Sequence, residues 1–399
     1  MTHLPHLPSV CSRRSRTTSF LLCLFAANIA VAQTPSPAIP GNHPLTEAQQ
    51  GALLIAELRC GACHAGVPEP AFPARTAPDL AEVGSRIAPD YLRRFLAAPA
   101  TAHPGTTMPD VLAAAPPAER EQIAEALTHF LVSQASQPFQ PQPSDQPQTA
   151  AGRTLFHTVG CVACHGPRDP APELPPNPQR PEEDDPDDVP PPKPSFAPIA
   201  LPLGHVAKKY SPHSLTQFLF QPLRVRSSGR MPDMQLTPAE AQALADYLLD
   251  PDQPHAPPLT PQPALVQAGR QYYQKFNCAA CHPLPGQAAA PQIAAWKATA
   301  PSRGCLSEKP GPGPHYGLTA AQSQAVRAAI AAPPAPAADA LVVAQTLTAL
   351  RCIACHIRDS YGGVPEEYNP YFSGTEKNLG EDGRIPPPLT LVGAKLQPA

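Results

Sequence analysis

The sequence predicts an all-α fold: tandem small helical domains joined by proline-rich linkers. Three observations carry this expectation. The 399 residues include 60 prolines, roughly three times the ordinary ~5% share, so short helices joined by rigid extended segments are favoured over long helices or regular sheet. A short helical pattern ending in a cysteine-containing signature recurs four times, as expected of tandem units. Two longer amphipathic stretches, Pro116 to Ser133 and Pro238 to Leu249, each close one of these units. The charge is nearly balanced, 29 Lys+Arg against 32 Asp+Glu, which gives no footprint for nucleic acid or an anionic membrane surface.

Residues 1–32 read as an export signal. Arg13, Arg14 and Arg16 precede an apolar run from Phe20 to Ala32, which ends in the small-residue pattern Ala30-Val31-Ala32. The run is well short of the ~20 residues needed to span a bilayer. The expected mature chain has no membrane span and resides in the periplasm or an equivalent extracytoplasmic space.

Of eleven cysteines, Cys11 and Cys23 lie in that segment. Eight of the other nine fall in four identical contexts: Cys60-Gly-Ala-Cys63-His64, Cys161-Val-Ala-Cys164-His165, Cys278-Ala-Ala-Cys281-His282 and Cys352-Ile-Ala-Cys355-His356. The spacing has a chemical reason. Two thiols three positions apart reach the two vinyl groups of one haem, and the adjacent histidine presents its imidazole to the iron. Structural zinc can use paired Cys-x-x-Cys motifs, but it leaves the repeated histidine unexplained. A thioredoxin-like dithiol needs a βαβ context that is absent. The reading is four covalently attached haem c groups, with His64, His165, His282 and His356 as proximal ligands. Cys305 is left over.

Nine residues before the first cysteine of three motifs stand Gly51, Gly152 and Gly269, and five before it stand Ile55, Phe156, Tyr273 and Leu347. A small and a large apolar residue one turn apart allow another helix to cross closely. The first two repeats align without a gap at an offset of 123: Leu92, Phe95, Leu96 and Pro99 match Leu215, Phe218, Leu219 and Pro222. Met108-Pro109-Asp110 matches Met231-Pro232-Asp233 in the same register. This order of Gly-x-x-x-aromatic, Cys-x-x-Cys-His, a Met-Pro loop and a closing Leu-x-x-aromatic helix resembles class I cytochromes c. The resemblance covers residues 45–134 and 150–250 well and the rest in part. It implies that His64/Met108 and His165/Met231 are axial pairs and that the first and last helices of a unit cross at the small residue. Met234 competes with Met231, and the offset favours Met231. Arg86, Lys209 and Lys395 occupy matching positions, where they either meet a haem propionate or are ordinary solvated charges.

The other two repeats depart from this pattern. The third, 264–332, has no methionine; its candidate sixth ligands are Cys305 and His315, with an open iron as the alternative. The fourth, 338–399, aligns from Pro387 onward with the stretch beginning at Pro78 at an offset of 309. Its methionine would fall near position 417 by the repeat register, so haem four is expected to be open or completed by a partner or a further domain. Tyr361, Tyr368, Tyr371 and Phe372 are candidates to cover it.

Gln134–Gln148, Pro251–Pro263 and Ala332–Ala337 read as proline-rich spacers, and 167–194 as a disordered insert carrying an acidic run at 182–188. Electron transfer between redox donor and acceptor proteins is the favoured function, because His/Met irons offer no substrate site. The alternative is a haem enzyme with an open iron at haem three or four, acting on peroxide or a small sulfur or nitrogen compound.

Overall fold

The computed structural model describes residues 43–144, 147–170, 201–249, 257–293, 304–307, 309–311, 313–332, 338–372 and 386–395. The N-terminal segment read as an export signal, the acidic run and most of the insert around it lie outside these residues. The chain is helix-rich. Its principal helices are α1 (Glu47–Glu57), α2 (Pro89–Ala97), α3 (Pro117–Val132), α4 (Thr149–Thr158), α5 (Pro212–Phe220), α6 (Pro238–Leu248), α7 (Pro263–Lys275), α8 (Ala320–Ala331) and α9 (Asp339–Ala349). A two-stranded antiparallel hairpin, Ile357–Arg358 with Tyr361–Gly362, follows the fourth motif.

The prolines start helices rather than break them. Five of these helices carry proline in the first turn, where the missing N–H would have had no intrahelical acceptor. Four begin with reciprocal capping boxes, Thr46/Gln49, Ser211/Ser214, Thr237/Glu240 and Thr319/Gln322, which satisfy donors that the helix start leaves unpaired. Short helices are thus sharply bounded despite the proline content.

In the second repeat the first and last helices cross at the small residue, as the family resemblance implies. A Cβ at Gly152 would overlap the Ala243 carbonyl, and the Phe156 and Tyr247 rings stand 5.7 Å apart beside the crossing. The first and third repeats do not follow that rule internally. Helix α7 packs on α3, with Gly269 against the Ala126 carbonyl and Phe130 and the Tyr273 and Phe130 rings 5.4 Å apart. Helix α1 packs on α8, with Gly51 against the Ala325 carbonyl. The implied crossing within each repeat is corrected here to a crossing between the first and third repeats. The reason is physical: both repeats carry the same local glycine-and-apolar signature, so the signature dictates that a helix is crossed, not which helix crosses it.

The proline-rich spacer Gln134–Gln148 is packed against the helices at Phe139, Ser144 and Gln148. Phe139 is 2% exposed and packs in the main core. Near its end, the Ser144 hydroxyl and the Gln148 N–H both donate to the Asp246 carboxylate. That core runs through all four repeats, from Leu127 and Phe130 through Phe156, Leu219, Leu244 and Tyr273 to Tyr371 and Phe372. Among the described residues, no helix is long and apolar enough to cross a membrane.

Candidate haem-attachment sites

All four motifs begin with the same backbone device. The residue before the first cysteine has positive φ: Arg59 (57°), Gly160 (100°), Asn277 (52°) and Arg351 (62°). This left-handed residue ends the preceding helix and lets the next residues start a tight turn. The turns are Cys60–Ala62, Cys278–Ala280 and Cys352–Ala354, and Val162–His165 in the second motif. Three of these left-handed residues have side chains, a conformation that L residues avoid, so the turn is imposed by its surroundings. In each case the histidine N–H bonds to the carbonyl of the first cysteine, Cys60, Cys161, Cys278 or Cys352. The two thiols and the imidazole of each motif are thereby tied to one turn.

The histidines are also oriented. The His165 Nδ1 lies 3.0 Å from the Leu201 carbonyl oxygen, His282 Nδ1 2.8 Å from that of Pro78, and His356 Nδ1 2.8 Å from that of Pro387. A carbonyl only accepts, so the proton sits on Nδ1 and the Nε2 lone pair is free for a metal, the arrangement that fixes ligand histidines. Leu201 and Pro387 lie at the repeat positions equivalent to Pro78. These acceptors are backbone groups, and only their register in the repeats could have pointed to them.

The thiols suit thioether formation better than thiolate chemistry. Burial pushes Cys60 and Cys278 up to about 12 and Cys161 up to about 11, whereas reactive or metal-binding cysteines are shifted down. Among the described residues, no three His, Cys, Asp or Glu side chains converge as a metal cluster would require. With no such cluster, and with a histidine that offers Nε2 beside the paired cysteines, the motif fits covalent haem better than structural zinc.

The motifs meet in pairs. The Arg59 guanidinium, at the first motif, donates to the Cys281 carbonyl of the third at 2.9 Å. Cys164 and Cys355 are hydrogen-bonded to one another, and this contact holds the Cys164 thiol down to about 7 and raises that of Cys355. The Tyr371 hydroxyl donates to the Asp169 carbonyl at 2.8 Å, and its ring lies 5.5 Å from His157. Tyr371 therefore lies against the second repeat. Between the pairs is a buried ion pair that sequence reading missed: Glu57, three residues before Cys60, binds Arg230, the residue before Met231. Their side chains are 1% and 5% exposed, and Arg75 joins Glu57 at 3.4 Å.

A second buried polar group lies between the first two repeats. The Lys209 Nζ sits 5.7 Å above the Tyr91 ring and 4.8 Å above that of Tyr210, and Lys209 is 5% exposed. Burial, with Arg226 nearby, lowers its pKa well below the usual lysine range. The His103 and His205 rings stack at 4.1 Å. Burial, reinforced by the Lys209 charge, brings them down to about 2 and about 3 respectively. The His205 Nδ1 is buried without a hydrogen-bond partner. Lys209 is thus not a solvated surface charge, whereas its sequence counterpart Arg86 donates to the Asp79 carbonyl. Lys395 ends a short helix, Val392–Lys395.

The remaining candidates are placed as follows. Met108 sits in a loop that Asp110 anchors, through Arg120 at 2.9 Å and through backbone bonds in both directions with His315. The backbone of His315 therefore supports the first repeat's methionine loop. Met231 is partly buried against the core, while the Met234 methyl lies beside Gly160 at the second motif's turn. Cys305 lies near Cys60 and Cys63, and burial, then Cys63, raises its thiol. It neighbours the first motif.

Residues 149–250 match the family model Cytochrome c, and this match contains the second motif, the Leu201 carbonyl, Met231 and the α4–α6 crossing. No curated protein matches the chain, and no solved structure does. The match, on a helical repeat whose cysteines and histidine are arranged for covalent haem c, supports a c-type cytochrome, a haem-based electron-transfer protein.

Proposed function

We propose that the chain is a multihaem c-type cytochrome that binds four haem c groups and carries electrons between donor and acceptor proteins in the periplasm or an equivalent space. The observation that carries this reading is the repeated motif geometry. A left-handed residue, a cysteine turn and a histidine bonded to the first cysteine recur at Cys60, Cys161, Cys278 and Cys352. Bound haem supplies a one-electron iron couple; everything else is done by the chain.

Cys60/Cys63, Cys161/Cys164, Cys278/Cys281 and Cys352/Cys355 would hold the groups, and His64, His165, His282 and His356 would each offer an iron a ring nitrogen, Nε2 in the three whose Nδ1 meets a carbonyl. Met231 is the sixth ligand in the second repeat, and Met234, occupied beside Gly160, is not. A thioether favours the ferrous state and raises the potential. Lys209, buried over the Tyr91 and Tyr210 rings, is the proposed partner of a haem propionate, whose negative charge would favour its protonated form. The contact of Arg59 with the Cys281 carbonyl, and that of Tyr371 with the Asp169 carbonyl, support close approach of the first to the third motif and of the second to the fourth.

Oxidative titration of the fully reduced protein with a small one-electron oxidant such as ferricyanide is expected to withdraw four electrons per chain, with only background consumption of hydrogen peroxide. Sustained peroxide turnover would overturn the carrier reading in favour of an enzyme with an open iron, which needs a distal acid/base group beside it.

A further inference from the structure

The first and third repeats are each incomplete alone, and independent contacts agree on how they complete each other. His282 takes its orienting carbonyl from Pro78, 204 residues away, whereas His165 and His356 take theirs 36 and 31 residues downstream. Pro78 is the position equivalent to Leu201 and Pro387, but in the first repeat. The reciprocal contact is present too. In the second repeat the Leu201 N–H donates to the Cys164 carbonyl at 2.7 Å; at the first motif, the Ile293 N–H from the third repeat donates to the Cys63 carbonyl at 2.9 Å. The Gln292 side-chain amide adds a bond to the Gly61 carbonyl at 2.6 Å.

The helices say the same. Gly269 and Tyr273 meet Ala126 and Phe130 of the first repeat as Gly152 and Phe156 meet Ala243 and Tyr247 within the second. Gly51 meets Ala325 of the third. The crossing strand of chain, after the first motif, is held in place at Phe72, which is buried with Leu45 and Leu53, at Arg75 on Glu57, and at Thr76 on Ser228.

We infer that the two repeats have exchanged halves. Residues 78–132 close the site of Cys278, Cys281 and His282, and Met108 is its sixth ligand. Ile293, Tyr316 and helix α8 close the site of Cys60, Cys63 and His64. This rests on the covalent-haem reading above and changes its ligand pairs: His282/Met108 replaces His64/Met108. The iron without a methionine among the first three is then the one at His64, beside Cys305, and not the one at His282. The exchange also makes the first and third repeats obligate partners, since neither buries its first helix alone.

The test uses the ferric full-length holoprotein in a Met231→Leu background, where the remaining Met–iron charge-transfer absorption belongs to Met108. Gly269→Ala presses a methyl into the α3 backbone beside that site and is expected to weaken or abolish the absorption. Gly51→Ala disturbs the α1–α8 crossing and is expected to leave it. The double variant Cys278→Ser/Cys281→Ser is expected to lose one haem and the absorption together. Sensitivity to Gly51→Ala with indifference to Gly269→Ala, or absorption that survives loss of the Cys278/Cys281 haem, would overturn the exchange. Pyridine haemochrome on the same samples reads covalent haem separately, so failure of the haem reading itself appears there.

Discussion

Glu57→Ala is expected to destabilise the holoprotein by about 3–5 kcal/mol, the cost of leaving one member of a buried ion pair uncompensated. The Arg230 side chain is 5% exposed and its Nε is already buried without a partner, so it has no route to water when the carboxylate goes. Arg75 loses its partner in the same step. Glu57→Gln keeps the shape and one acceptor and should cost less, roughly 1–3 kcal/mol. Guanidinium unfolding followed by far-UV circular dichroism and by haem absorbance reads both, and a lower midpoint at unchanged slope marks a stability change. A loss under about 1 kcal/mol for Glu57→Ala would mean that the pair is solvated, as exposed pairs are. Because Glu57 lies three residues from Cys60 and Arg230 next to Met231, the two probes should report one transition.

Met231→Leu is expected to lower the reduction potential of one haem on the order of 100 mV, within the ~0.8 V range that axial ligands span. The sign follows from ligand chemistry. A thioether binds ferrous iron better than ferric, so its loss favours the oxidised state. Spectroelectrochemical titration should resolve one component moving down while the others hold, with Met–iron absorption falling by half. Met234→Leu should do neither, since its methyl packs at the motif turn beside Gly160. A potential shift in Met234→Leu equal to that in Met231→Leu would reverse the ligand assignment.

What could be read from the sequence was whatever repeats locally. The closing helices lie within a residue or two of their expected bounds, at Pro117–Val132 and Pro238–Leu248, because a capping proline and an amphipathic run are local signals. Gly51, Gly152 and Gly269 all sit at close crossings, because only a missing Cβ lets backbones approach so far. The partners of Gly51 and Gly269 were not legible: two repeats with the same signature offer each helix two equivalent partners. Glu57 and Arg230 are 173 residues apart, and nothing in either neighbourhood announces the other. Among the left-handed residues, Gly160 and Asn277 are types that tolerate positive φ, while Arg59 and Arg351 are not. The orienting carbonyls of Pro78, Leu201 and Pro387 became visible only once the repeats were set in register, and then Pro78 proved to serve His282.

Haem stoichiometry tests the central claim most directly. Intact mass spectrometry of the purified full chain, checked by pyridine haemochrome per mole of protein, is expected to find four covalently bound haem groups, with peptide mapping placing one on each of Cys60/Cys63, Cys161/Cys164, Cys278/Cys281 and Cys352/Cys355. A chain carrying a single haem, at Cys161 and Cys164 within residues 149–250, would contradict the multihaem account.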